Sequence, residues 1–224
     1  MSLVESIESY AAELEAIGKD APPPAPRWNQ DWFPRLDAAA AYTMVRTLRP
    51  KRIVEVGCGH STRFLARAVA DGGLDTRITA IDPAPRASLE GLKVRWLRQP
   101  VQASSLEVFR ALAGRDILFI DSSHKLERGS DVEFLLEKVL PCLAKGVRLH
   151  FHDIFLPGPY PAAWAWRRYN EQAAVAALLH AGYPCDFSSH WVVSRRGDLV
   201  ARGVLGRLPL VAGAIESSLW LRKR

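Results

Sequence analysis

Five short stretches of the chain combine residue types that can do chemistry. They are GCGHST at 57–62, Asp82, Gln102, DSSH at 121–124, and the pair His152–Asp153. A glycine pair lets the main chain turn sharply and approach a ligand, and a helix that starts there aims free N–H groups at it. Gly57, Gly59, His60 and Ser61 are therefore candidate ligand-binding residues. Asp82 follows Gly57 by 25 residues, near the spacing at which an acid meets ribose hydroxyls. His124, His152 and Asp153 are candidates for proton transfer, since an imidazole held by a carboxylate is the usual base near neutral pH. Asp121 and Asp153 could instead hold a divalent cation. Each stretch also has a plainer reading. The glycines and Asp82 could be a tight turn with an N-capping acid. His124 could enter a helix, His152 could cap a loop, and His60 could be solvated. His150, two residues before His152 and on the same strand face, reads as a core histidine.

The elements that must position these residues are legible from periodicity. Residues 52–56, 76–81, 94–97, 116–120 and 147–151 read as short strands, and 186–193 with 198–205 as a closing pair. Helical spacing marks 3–18, 36–48, 61–70, 104–112, 131–140 and 170–181. APPPAP at 21–26 is a stiff linker. Strands alternating with helices imply an α/β domain with a doubly wound, mostly parallel sheet. Residues 1–49 are expected to be a helical extension with a proline-rich linker, and 50–224 the main domain. In such sheets ligands bind beyond the carboxyl ends of the strands, where all five stretches fall. One cleft is the simplest consequence.

The third glycine of a dinucleotide fingerprint is replaced by Thr62, which weakens the case for a pyrophosphate-containing ligand such as NAD. VEVGCGHST at 54–62 resembles the first motif of class I S-adenosylmethionine (SAM) dependent methyltransferases, and AIDP at 80–83 is similar to the acid after their second strand. FIDSSH, LPCLAKGVRLHFHDIFLPGPYP and YNEQ resemble a bacterial group of such enzymes. The strand ends at Asp121 and Asp153 are also similar to the metal-dependent catechol and caffeoyl-CoA O-methyltransferases. The resemblance covers about residues 35–205. It implies a Rossmann-like sheet of seven strands with the last antiparallel. It implies SAM as cofactor, with Glu55, Gly57 and Gly59 shaping the methionine side, Asp82 at the ribose and Gln102 near the adenine; Asp121 is expected to contribute to the same pocket. It also implies a divalent metal on Asp121 and Asp153, although Ile154 stands where those enzymes carry Asn.

Composition narrows the classes. The chain has 224 residues, 48% of them hydrophobic, enough for one sizeable core. No apolar run is long enough to span a bilayer, the N-terminal residues lack the pattern of a secretory signal, and a cytoplasmic location is expected. Cys58, Cys142 and Cys185 are scattered and form no metal or disulfide framework. The net charge of +6 reads as a solvated basic surface, and no basic run interleaved with aromatics points to nucleic acid. Residues 208–224 carry Val211, Ile215, Leu219 and Trp220 on a helical stripe beside a basic end, which suits a docked or membrane-surface helix. Trp28, Trp32, Phe33, Tyr160, Trp164 and Trp166 are core or dimer contacts, or a lid over an acceptor. The favoured function is methyl transfer to a small-molecule acceptor, with an oxygen nucleophile in view and a homo-oligomer open. The alternatives are a metal-dependent oxygenase or hydrolase on the same fold, and a SAM-binding module without catalysis.

Overall fold

The computed structural model describes residues 2–224. Ser2 caps the first helix reciprocally with Glu5 and starts α1 (Leu3–Glu8). The helical run expected over 3–18 bends after Glu8 and resumes as α2 (Ala11–Glu15). At the bend Tyr10 leaves the helix to meet the edge of Tyr42 and the guanidinium of Arg46. After the proline-rich segment comes α3 (Arg35–Leu48), alanine-rich and buried along most of its length. It ends at Arg49, which is left-handed, and at Pro50.

The main sheet has seven strands: β1 (Arg52–Val56), β2 (Arg77–Ile81), β3 (Val94–Leu97), β4 (Ile117–Ile120), β5 (Arg148–Phe151), β6 (Cys185–Ser188) and β7 (Leu219–Arg222). Their order is β3-β2-β1-β4-β5-β7-β6. All neighbours are parallel except that β7 runs antiparallel to both β5 and β6. This is the Rossmann-like arrangement that the resemblance implied. The helices α4 (His60–Asp71), α5 (Glu107–Arg110), α6 (Asp131–Phe134) and α7 (Leu140–Cys142) follow their strands; a π turn (Leu135–Val139) joins α6 to α7. After β5 come α8 (Glu171–His180) and, beyond β6, α9 (Ser189–Arg195), α10 (Gly197–Val200) and α11 (Gly203–Arg207).

Period-two side chains divide two cores. Ile53, Ile78, Ile117, Phe119 and Trp220 pack under α1, α3, α4 and the helices after β6. Val54, Val56, Leu118, Ile120, Leu149 and Leu221 pack against α5 to α8. The central strands are buried on both faces, as parallel sheets require.

Two expectations are corrected. The closing strand pair at 186–193 and 198–205 is a short strand followed by three helices. Val192, Val200, Val204 and Leu205 are buried from these helices, and burial of the adjacent pair Val204 and Leu205 breaks the alternation that a half-buried strand requires. The helical stripe at 208–224 is not a surface helix either. Leu219 and Leu221 enter one core, Trp220 enters the other, and the segment is an interior strand. It has no apolar face to offer a membrane. Among the described residues no helix is long and apolar enough to cross one.

Candidate functional site

Beyond the carboxyl ends of β1, β2, β4 and β5 lies a cavity of about 800 Å³, within the range of small-molecule sites. Its walls include Gly57, Gly59, His60, Ser61, Asp82, Gln102, Asp121, His124, His152 and Asp153. All but one of the site residues expected from the sequence thus share one space. The exception is Glu55, which is fully buried beneath the floor and touches the cavity only through Ser61, whose hydroxyl donates to its Oε1 at 2.6 Å. Burial raises the Glu55 carboxyl to about 8. Glu55 is a support for the turn rather than part of its surface.

The turn itself is built by close approach of two strands. Gly57 has φ +79°, and a Cβ there would lie 1.7 Å from the Asp121 carbonyl oxygen. β4's loop requires a glycine here whether or not a ligand approaches, while Gly57 also lines the cavity. Gly59 N–H donates to Thr62 Oγ1 at 3.0 Å as α4 begins. Asp82 accepts from the Cys58 N–H at 2.8 Å and the Ala84 N–H at 2.7 Å, so it holds the turn as well as lining the cavity. Gln102 donates to the Gly129 carbonyl at 3.1 Å. His60 is buried, with its ring held down to about 4 by burial and by Arg63 and Arg27 nearby. Among the described residues, His60 Nδ1 and Ser122 Oγ are buried without hydrogen-bond partners, although both residues line the cavity. Orphaned polar atoms of this kind fit a polar ligand.

At the other end two imidazoles meet two carboxylates. His124 Nε2 lies 3.2 Å from Asp121 Oδ1 and 3.5 Å from Asp153 Oδ2. His152 Nδ1 lies 3.5 Å from Asp121 Oδ1 and 3.5 Å from Asp153 Oδ1. Each ring is braced from behind by a buried acid: His124 Nδ1 sits 2.9 Å from Glu171 Oε2, and His152 Nε2 sits 3.2 Å from Asp37 Oδ2. Burial disfavours charge on both rings, but the surrounding carboxylates win and hold both imidazoles well above their ordinary range. The same contacts hold Asp121 well below the usual carboxylate range against the effect of burial. His124 and Asp153 both have left-handed backbones, φ 59° and 55°. Such strain in non-glycine residues gathers where a side chain must be aimed. His150 is apart from this cluster. It stacks on Phe119 at 3.6 Å between ring centroids and meets Ser218 Oγ at 2.8 Å, as a core histidine does.

Donor chemistry tests the metal. Ile154 is fully buried in the core, so the third oxygen ligand implied by the resemblance is absent. The nitrogen donors beside the two aspartates are those of His124 and His152. Imidazoles backed by carboxylates suit divalent ions, and donor separations of 3.2–3.5 Å match the edges of a shell with bonds of about 2.1 Å. As the side chains stand they are closed on one another, and no three His, Cys, Asp or Glu among the described residues enclose a ready position for an ion. The donor types fit; the ion's position would have to open between them.

Asp37, Glu171 and Arg167 were not singled out in the sequence. Asp37 lies 115 residues from the histidine it braces, and nothing local marks it. Glu171 stands inside the YNEQ stretch, and its place at the start of a helix was the available signal. The aromatic residues divide between the two expected uses. Trp28 and Phe33 are core, packed around Phe64. Trp32 and Trp164 line the cavity, and Trp166 is largely exposed.

Residues 54–154 match the model of a family described as a methyltransferase domain. This stretch is similar to that domain. It contains the glycine turn, Asp82 and every member of the imidazole–carboxylate cluster, and leaves outside it the bracing acids Asp37 and Glu171. Among solved structures the chain is similar to cofactor-bound Rv0187 from MTB, with TM-score 0.51 and 14% identity over 99% of this chain and 89% of that one. An O-methyltransferase from Bacillus cereus in complex with SAH aligns at TM-score 0.49 and 14% identity, covering 99% and 90%. A methyltransferase from Geobacter sulfurreducens aligns at 0.45 and 18%, covering 99% and 87%. At such identities the first of these likenesses is one of fold. No curated protein is significantly similar to the chain in sequence.

Proposed function

We propose that the chain transfers a methyl group from SAM to an oxygen of a small-molecule acceptor. One observation carries this reading: the cavity joins a glycine-turn pocket suited to SAM with a charged proton-handling cluster, so donor and acceptor face each other across one space. SAM bound at Gly57, Gly59, His60, Ser61, Asp82 and Gln102 supplies an electrophilic methyl on a sulfonium. The protein must then align an acceptor oxygen in line with that methyl and relieve it of its proton.

The imidazole–carboxylate cluster performs the second task. The carboxylates around the two imidazoles favour the protonated form of both rings, which adds a donor role to the base role expected from the sequence. The rings act as donors that orient the acceptor oxygen, while Asp153, beside both rings, is the carboxylate within reach that takes its proton. A divalent cation held by Asp121, Asp153, His124 and His152 would supply the positive charge of the imidazole protons and acidify a bound hydroxyl. Phe33, Trp32 and Trp164 narrow the cavity and exclude water around the transfer. A cytoplasmic setting agrees with three unpaired cysteines.

Calorimetry with SAM, S-adenosylhomocysteine and NAD in parallel tests the first half: the two adenosyl sulfur compounds bind and NAD does not. Tight binding of NAD alone would remove the reading. Turnover with a hydroxylated acceptor, measured before and after chelation, tests the second. If a divalent ion is held by the cluster, activity is lost in EDTA and restored by Mn²⁺ or Mg²⁺. Full activity in metal-free protein would leave the cluster's own side chains to take the proton.

A further inference from the structure

Arg167 is a charged cavity residue that methyl transfer leaves without a task. It closes the 3-10 turn Ala162–Arg167, and its guanidinium stacks on Trp164 at 4.0 Å from the ring centroid, with Tyr169 at 5.5 Å. All three residues line the cavity beside the cluster. Among the described residues, Nη1 donates one long bond to the Tyr169 hydroxyl at 3.4 Å, and the buried Nε has no partner. Nη1 is 4.0 Å from Asp153 Oδ2, beyond hydrogen-bond reach. A guanidinium offers five N–H groups in a planar fork, and a buried donor left unpaired costs about 1–3 kcal/mol. Stacking on Trp164 fixes the plane of the fork before anything binds.

We propose that Arg167 binds a carboxylate of the methyl acceptor, and that the acceptor is a small hydroxyaromatic acid. The inference rests on the methyl-transfer reading and names its substrate class. A forked pair of oxygens satisfies the fork, including its orphaned Nε, in a way that no residue of the chain does. The fork lies next to Asp153, which in turn meets His124. One small molecule therefore reaches both, its acid on Arg167 and its hydroxyl at the cluster. Trp164 and Tyr169, in edge-to-face contact at 6.1 Å between centroids, and Tyr169 4.6 Å from the His124 ring, place aromatic surface beside both the fork and the cluster. A phosphate ester would present similar forked oxygens, so the test separates the two.

The experiment uses the intact chain with S-adenosylhomocysteine for binding and SAM for turnover. The probes are 2-, 3- and 4-hydroxybenzoate and 3,4-dihydroxybenzoate, the methyl ester and amide of each, and hydroxyphenyl phosphate. Free acids should bind and react with kcat/KM about tenfold or more above their esters. Arg167→Met should abolish that preference mainly through KM, leaving SAM affinity and melting temperature unchanged, and Arg167→Lys should restore part of it. Equal use of acids and esters, or undiminished acid binding by Arg167→Met, would overturn the proposal. Preference for the phosphate would overturn the carboxylate assignment. Should no probe be methylated, binding decides: acid binding that depends on Arg167 supports the proposal, and no acid binding overturns it. Failure to bind SAM counts against the methyl-transfer reading alone.

Discussion

His124 and His152 are each held at both ring nitrogens by carboxylates, and this decides what they can do. A histidine kept protonated by its neighbours is a donor and an anchor, and its removal strips charge from the reaction centre without touching the glycine turn. Replacing either by Ala should leave SAM affinity nearly unchanged, because the ring partners are Asp121, Asp153, Glu171 and Asp37 and not the glycine turn, Asp82 or Gln102. Turnover should fall by about 10²–10³-fold, the usual cost of losing one positioned donor at a reacting oxygen. Calorimetry and single-turnover assays measure the two quantities. If the rate per folded molecule were intact while the melting temperature dropped, the cluster would be structural.

Among the elements, those built on local pattern were legible and those built on distant partners were not. The first five strands and the glycine turn followed from β-branched runs, and β1, β4 and β5 occur within about a residue of where alternation placed them. The cavity's two polar ends were visible because strand ends gather at one edge of a parallel sheet. The region after residue 186 misled, because HWVV and VARGVL carry β-branched residues, although Val204 and Leu205 side by side break a strand's alternation. The bracing of the site was invisible for another reason. Asp37 belongs to α3, yet it is fully buried and accepts from the N–H groups of Ser217 and Ser218 as well as facing His152. Glu216, one residue earlier, pairs with Arg35 at 3.0 Å and accepts from the Leu36 N–H at 2.7 Å. These contacts fasten α3 to the approach of β7 across some 180 residues, a separation no local pattern encodes. Asp37→Ala should therefore act on two elements at once. It leaves two main-chain donors and one imidazole nitrogen, Nε2 of His152, unpaired, a loss of about 3–5 kcal/mol. Denaturant unfolding should show it, and Asp37→Asn should recover part of the stability but not the turnover. Unchanged stability in Asp37→Ala would mean that β7 is held by its strand pairing alone.

Across the whole molecule, the site concentrates buried ionisable groups where the two cores meet the cavity, and stability must follow their protons. Glu55 has its folded value raised to about 8 from an ordinary 4.5. The folded state therefore keeps a proton that the unfolded chain releases, and its contribution is present in full below about pH 4.5 and lost as pH rises through 8. His60 works in the opposite sense. Its folded value is lowered to about 4 from 6.5, so its contribution is present above pH 6.5 and lost as pH falls towards 4. Between 4.5 and 6.5 the two slopes offset each other; above 6.5 Glu55 acts alone of the pair, and His124 and His152, held above their ordinary range, add to the alkaline loss. Glu55→Gln keeps the shape and a hydrogen-bonding oxygen for Ser61 but cannot ionise. The variant should gain stability relative to the parent as pH rises from 4.5 to 8, by about 1.4 kcal/mol per unit at most, and the difference should level off beyond. Denaturant midpoints for both proteins across pH 4–9 measure it. A constant difference over that range would show that Glu55 is ionised in the folded protein at pH 5, and that the turn it supports is built around a carboxylate.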